Sequence, residues 1–135
     1  MSFENNTIRK EIAQEVKEFE QALLDRDKNE QALRYNQGKL EWSLVDFDSL
    51  EGLVRVLEYG KDKYARDNWK LGMPVTQVTE SLMRHLFAFA KGEDVDPESG
   101  CRHISHVLCN AMFLEYILRE KQHYDDRKPS NPNDL

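Results

Sequence analysis

Apolar positions recur at steps of four and three through Ile8, Ile12, Val16, Phe19 and Leu23. That period predicts an amphipathic helix, with Asn6 or Thr7 as its cap. The stripe is narrow, and charged residues such as Glu11, Glu15, Lys17 and Glu18 fill the rest of the surface. Such a helix suits packing on a partner helix or a second subunit better than deep burial. Over 25–38 the chain turns very polar, which reads as a linker with a frayed helical end through Leu33. Leu40, Trp42 and Leu44 alternate with polar neighbours, so one short extended piece is expected, too little to make a sheet alone. Asp48 and Glu51 resemble a capping box and open a second helix over 48–59, with Phe47, Leu50, Val54 and Leu57 as its stripe and Gly60 as its stop. A third helix over 77–91 turns Val78, Leu82, Leu86 and Phe89 inward, pairs Glu80 with Arg84 at i,i+4, and ends at Gly92. A fourth over 103–122 faces Ile104, Val107, Leu108, Ala111, Leu114 and Leu118 to the core. The fold class is therefore all-α, a small four-helix-type bundle with an N-terminal helical arm. The arm covers 1–34, the helical domain 35–122, and a disordered tail with Pro129 and Pro132 covers 123–135.

Composition narrows the function. Of 135 residues, 19 are Lys or Arg and 25 are Asp or Glu, a formal charge of -6. A chain this acidic is a poor general binder of duplex nucleic acid or anionic lipid. The longest apolar run, Leu86 to Ala90, falls far short of the roughly 20 residues of a membrane helix. The first ten residues lack the apolar segment of a signal peptide. Neither nucleic acid nor membrane is an expected partner. Cys101 and Cys109 do not form a disulfide framework, and a reducing, cytoplasmic setting follows.

The last helix carries the most informative chemistry. His103, His106 and Asn110 stack on one face, and the same face continues as Phe113 and Ile117. Polar groups at one end of a buried stripe need partners, since each unsatisfied group costs roughly 1–3 kcal/mol. A ligand, a metal, or a hydrogen-bonded cluster between helices would supply them. His85, on the flank of the third helix, is placed to meet that face across the bundle. The loop before His103 holds Glu93, Asp94, Asp96 and Glu98 at the same end. In the loop after Gly60, Lys61, Lys63 and Arg66 can meet phosphate oxygens. Tyr64 and Trp69 offer flat faces to a base, and Asn68 an edge to read. Each feature also has a plain structural explanation; together they describe a nucleotide site with a divalent metal. A Gly-rich phosphate loop, a His-Glu-x-x-His motif, a Gly-x-Ser-x-Gly elbow and a His-Asp dipeptide are all absent from the sequence.

Several short motifs occur in a fixed order. They are Tyr35-x-x-Gly38-Lys39, then Gly60-x-x-Lys63-Tyr64-x-x-x-Asn68-Trp69, then Arg84-His85-Leu86, then Gly92-Glu93-x-x-Asp96-Pro97-Glu98-Ser99-Gly100-x-x-His103-x-x-His106. The set resembles the N-terminal domain of phage dATP/dGTP diphosphohydrolases, a group related to MazG-like all-α nucleotide pyrophosphohydrolases. The resemblance covers about 35–118 and leaves the arm aside. It implies cleavage of a purine deoxynucleoside triphosphate to monophosphate and pyrophosphate, with Mg2+ or Mn2+ activating the attacking water. A phage-encoded chain would lie in the host-cell cytoplasm, and the stripe of Ile8, Ile12, Val16, Phe19 and Leu23 points to a homo-oligomer. Carried onto these positions, Lys39, Lys63, Tyr64, Asn68, Trp69, Arg84 and His85 would hold the nucleotide. Asp96, Glu98, His103 and His106 would gather at the metal, with Glu98, His103 and His106 in the catalytic role. The chain departs from the MazG-like pattern in having no adjacent glutamate pair. Its Glu93-x-x-Asp96 lies in a loop, and His103-x-x-His106 stands where a carboxylate pair is expected on a helix. Imidazoles suit manganese better than magnesium and can equally donate to phosphate. An alternative function is therefore a phage-type sponge that binds a nucleotide signal without cutting it, and a third is an interaction protein built on the N-terminal stripe.

Overall fold

The computed structural model describes residues 3–25 and 31–128. Four helices follow in chain order: α1 (Phe3–Leu24), α2 (Glu51–Lys63), α3 (Val75–Ala90) and α4 (His103–Glu120). Short 3-10 turns occupy Trp42–Leu44, Phe47–Leu50, Asn68–Leu71 and Gln122–Tyr124. No strand occurs among the described residues, and no described helix is long and apolar enough to cross a membrane. The chain divides into two units, Met1–Trp42 and Ser43–Leu135.

In the first unit α1 begins at Phe3, ahead of the expected cap. Its stripe of Ile8, Ile12, Val16, Phe19 and Leu23 is exposed. Residues 31–36 are irregular, so the expected helical end at Leu33 does not form. The expected extended piece is also absent: Trp42–Leu44 closes a 3-10 turn. With no neighbouring strand to take its backbone groups, local bonding is the available way to satisfy them.

In the second unit α4 is the central helix and packs against both α3 and α2. The core is Val75, Val78 and Ile117, surrounded by Met73, Phe113, Leu114, Tyr116, Leu118 and Tyr124. The helix boundaries differ from expectation for local reasons. Asp48 belongs to the 3-10 turn that precedes α2, and Gly60 lies inside α2, where its carbonyl accepts the Tyr64 amide at 2.9 Å. A mid-helix glycine costs about 1 kcal/mol against alanine, and here its missing side chain leaves open space. The helix α3 starts two residues early because Asp126 accepts the Thr76 amide at 2.9 Å and the Thr76 hydroxyl at 2.6 Å, satisfying a first-turn donor. Of the segment 123–135, residues 123–128 are described and include this contact; 129–135 lie outside the described residues. Gly92, at φ 98°, closes α3 as expected.

The buried faces are rotated from the expected stripes. On α2 the buried residue is Val56, while Val54, and Phe47 in the preceding 3-10 turn, are exposed. On α3 Leu86 and Phe89 are exposed, and the Glu80–Arg84 ion pair does not form among the described residues. Exposed pairs of that kind are worth only a few tenths of a kcal/mol. On α4 Ile104 and Leu108 are exposed, while His103, Ser105, His106, Cys109 and Asn110 are buried. Because α4 lies between two helices, its polar stripe goes inside and part of its apolar surface does not. Burial pushes the Cys109 thiol up to about 12, which leaves it unreactive.

Candidate functional site

The loop between α3 and α4 folds back on itself and delivers its side chains to the start of α4. An antiparallel bridge joins Val95 to Arg102, and Asp96 N–H donates to the Cys101 carbonyl at 2.8 Å. The Asp94 carbonyl accepts from His103 N–H at 2.9 Å. The first turn of α4 is thereby held against the loop.

His85 on α3 meets this end of α4. Its Nδ1 lies 2.8 Å from Nδ1 of His103, and its ring stacks on His106 with centroids 4.1 Å apart and planes 3° from parallel. His103 Nε2 reaches Glu93 Oε1 at 2.9 Å. His106 Nε2 reaches Ser99 Oγ at 2.7 Å and Asp96 Oδ2 at 3.5 Å. Ser99 Oγ donates to Asp96 Oδ2 at 2.9 Å and accepts the Cys101 amide at 3.1 Å. Three imidazoles and two loop carboxylates, Glu93 and Asp96, thus form one connected cluster, of which the sequence spacing placed His103 and His106 on one helix face.

Burial disfavours the charged imidazolium and lowers the pKa of both His85 and His106; His103 reinforces this, and Asp96 partly opposes it. Arg84 lowers His85 further. Burial would raise the Asp96 carboxyl, but hydrogen bonds from Ser99 and the Glu98 and Ser99 amides outweigh it and hold the group below its usual range. A consequence for stability follows. With folded imidazole values below the ordinary 6.5, the unfolded chain takes up protons first as the pH falls. The stabilisation is full above that value and is lost as the pH drops through the folded values. The thermal midpoint is expected to fall between about pH 7.5 and about pH 5.5; a flat or rising midpoint in that window would contradict the burial of neutral imidazoles.

The cluster lines a cavity of about 940 Å³, within the roughly 300–1,000 Å³ typical of small-molecule sites. Its other walls come from the end of α2 and the segment that follows. Lys63, Tyr64, Asn68, Trp69 and Arg84 all line it, with His85, Asp96, Glu98, His103 and His106. Lys39 belongs to the first unit and is exposed. Lys63 Nζ donates to Glu98 Oε1 at 3.0 Å, and the Tyr59 hydroxyl lies 3.4 Å from the same oxygen. That contact raises the Lys63 pKa and lowers that of Glu98. Trp69 stacks on Phe113 at 4.8 Å and meets Tyr116 edge-on at 5.0 Å, so one of its faces is already used by the core. Tyr64 is exposed, with Lys63 Nζ 5.4 Å from its ring. Arg84 is the cavity cation without an ion-pair partner among the described residues.

Among the described residues one set of three donors comes close enough for a metal ion: His85, Asp96 and His106, with ligand atoms within 4.8 Å of one another. Asp96 and His106 belong to the expected quartet and His85 joins them. Glu98 is engaged by Lys63, and both ring nitrogens of His103 are taken. With one carboxylate and two imidazoles, the set suits Mn2+ better than Mg2+, because Mn2+ accepts imidazole nitrogen more readily. The rings of His85 and His106 are parallel, so no point lies in both ring planes. As it stands, the cluster suits an ion on Asp96 and one imidazole, with other positions left to water and phosphate oxygens.

Three contributors were not singled out from sequence as site residues: Glu93, Ser99 and Tyr59. Tyr59 precedes Lys63 by four residues, so a helix running through Gly60 would have placed both on one face. Ser99 and Glu93 act across the α3–α4 loop, and no spacing signals such contacts.

The family described as dATP/dGTP diphosphohydrolase, N-terminal, matches residues 29–127. A dATP/dGTP diphosphohydrolase of Salmonella phage PMBT28 is 33% identical over 96 residues, 71% of this chain. The chain spans about a third of that relative's length. No solved structure matches.

Proposed function

Because the chain belongs to the family of dATP/dGTP diphosphohydrolase N-terminal domains, we propose that it hydrolyses a purine deoxynucleoside triphosphate. Water adds at the α phosphorus, the bond to the bridging oxygen breaks, and monophosphate and pyrophosphate leave. The observation that carries this reading is the cavity itself. It joins the half-buried His85–Asp96–His106 cluster on one wall to Lys63, Arg84, Tyr64 and Trp69 on the others. Arg84 is free to meet phosphate oxygens, and Lys63 can exchange Glu98 for a phosphate because both lie at the surface. Tyr64 and the open face of Trp69 would take the base, with Asn68 at its edge. Asp96 with one imidazole would hold Mn2+ or Mg2+, which supplies charge neutralisation on the triphosphate and an acidified water.

A second reading, binding without cleavage, is favoured by the donor set, in which Asp96 is the one carboxylate. One assay separates the two. The protein is incubated with dATP, dGTP, ATP and GTP, each with Mg2+ or Mn2+, then denatured, and the released nucleotide is identified. Monophosphate plus pyrophosphate is expected. Intact nucleotide recovered from the protein would replace hydrolysis with sequestration, and no bound or altered nucleotide would sink both readings.

A further inference from the structure

Glu93 does not line the cavity, yet it closes a chain of contacts that ends there. Its carboxylate lies 2.9 Å from His103 Nε2, and His103 Nδ1 lies 2.8 Å from His85 Nδ1. A carboxylate only accepts hydrogen bonds, so the proton sits on His103 Nε2. In a neutral ring Nδ1 of His103 is then an acceptor, and the 2.8 Å contact requires the proton on His85 Nδ1. The remaining nitrogen of His85, Nε2, is left bare. We propose that Glu93 is a positioning residue of this site: through His103 it sets the tautomer of His85 and leaves His85 Nε2 as an unprotonated acceptor at the cavity wall.

A parallel device acts on the stacked partner. Ser99 gives its one hydroxyl proton to Asp96, so its oxygen accepts from His106 Nε2–H, and His106 Nδ1 is the bare nitrogen. The two rings therefore carry opposite tautomers. Their free nitrogens are lone pairs, suited to a cation or a proton-bearing group and unable to donate to a phosphate oxygen. This narrows the ligand chemistry of the proposed hydrolase site, and its consequence for turnover rests on that reading. The tautomers themselves belong to the free protein.

Nitrogen-15 spectra of the full chain with labelled histidine, without nucleotide or metal and at a pH where the rings are neutral, read each ring directly. His85 is expected as the Nδ1–H form, the less common tautomer of free histidine, and His103 as Nε2–H, with His123 as a reference outside the cluster. In Glu93→Ala, His85 is expected to shift toward Nε2–H. In Glu93→Gln the side-chain carbonyl can still accept from His103, and the wild-type pattern is expected to return. A merely structural role for Glu93 would not exchange the tautomer of a ring it does not touch. Wild-type His85 found as Nε2–H, or an unchanged His85 in folded Glu93→Ala, would overturn the proposal. Where hydrolysis occurs, Glu93→Ala should lower turnover about 10–100-fold and Glu93→Gln much less. Absence of hydrolysis in the wild type would count against the enzyme reading and leave the tautomer result standing.

Discussion

Asp96→Asn is expected to lower nucleotide turnover by about 10²–10³-fold while the fold survives. The carboxylate sits where three influences meet: the Ser99 hydroxyl at 2.9 Å, the Glu98 amide at 3.2 Å, and His106 at 3.5 Å. Asparagine keeps an oxygen for the Ser99 proton and much of the loop geometry. What it removes is the negative charge beside two neutral imidazoles, the group best placed to hold a divalent cation. Pyrophosphate release, measured alongside the thermal midpoint, separates the two effects. Near-normal turnover with an intact fold would remove Asp96 from the reaction.

The second large effect is on stability. At Gly52 a Cβ would fall 2.9 Å from the Ser105 Cβ and overlap the Ser105 hydroxyl, so the Gly52 backbone of α2 lies directly against the Ser105 side chain of α4. Side-chain rotation relieves the hydroxyl but not the Cβ. Gly52→Ala must therefore wedge the helices apart, an overpacking cost of about 1–3 kcal/mol. That corresponds to a fall of roughly 4–20 °C in the unfolding midpoint for a domain of this size. Adding Ser105→Gly clears the space, and the double variant is expected to recover part of the loss despite the second glycine's helix penalty. If Gly52→Ala alone melts like the wild type, the close crossing is not as described. The crossing also matters for the site, because Ser105 lies between His103 and His106 on the same helical turn.

Helical periodicity identified the segments well and their buried faces poorly. The four helices fall close to where apolar spacing places them, and Gly92 ends α3 for the reason a left-handed glycine usually does. Gly60 did not stop α2, because a glycine stops a helix when the chain needs a positive φ there, and Gly60 is among neither the positive-φ glycines nor the close approaches. Leu86, Phe89, Ile104 and Leu108 read as core and are exposed, while His103 and His106 went inside and His85 is half-buried. Burial of His103 and His106 is tolerated because each finds a partner on the acidic loop, Glu93 for His103 and Ser99 for His106.

From the chain alone came the all-α class, the ordered motifs and the pairing of His103 with His106 on one face. Those depend on residues within a few positions of one another, where a period of 3.6 residues suffices. The meeting of His85 with His103, the capture of Glu98 by Lys63, the tautomer control by Glu93 and the Gly52–Ser105 crossing depended on which helix lies against which. Such contacts join positions far apart in the chain, and only the packing of α4 between α2 and α3 brings them within hydrogen-bonding reach.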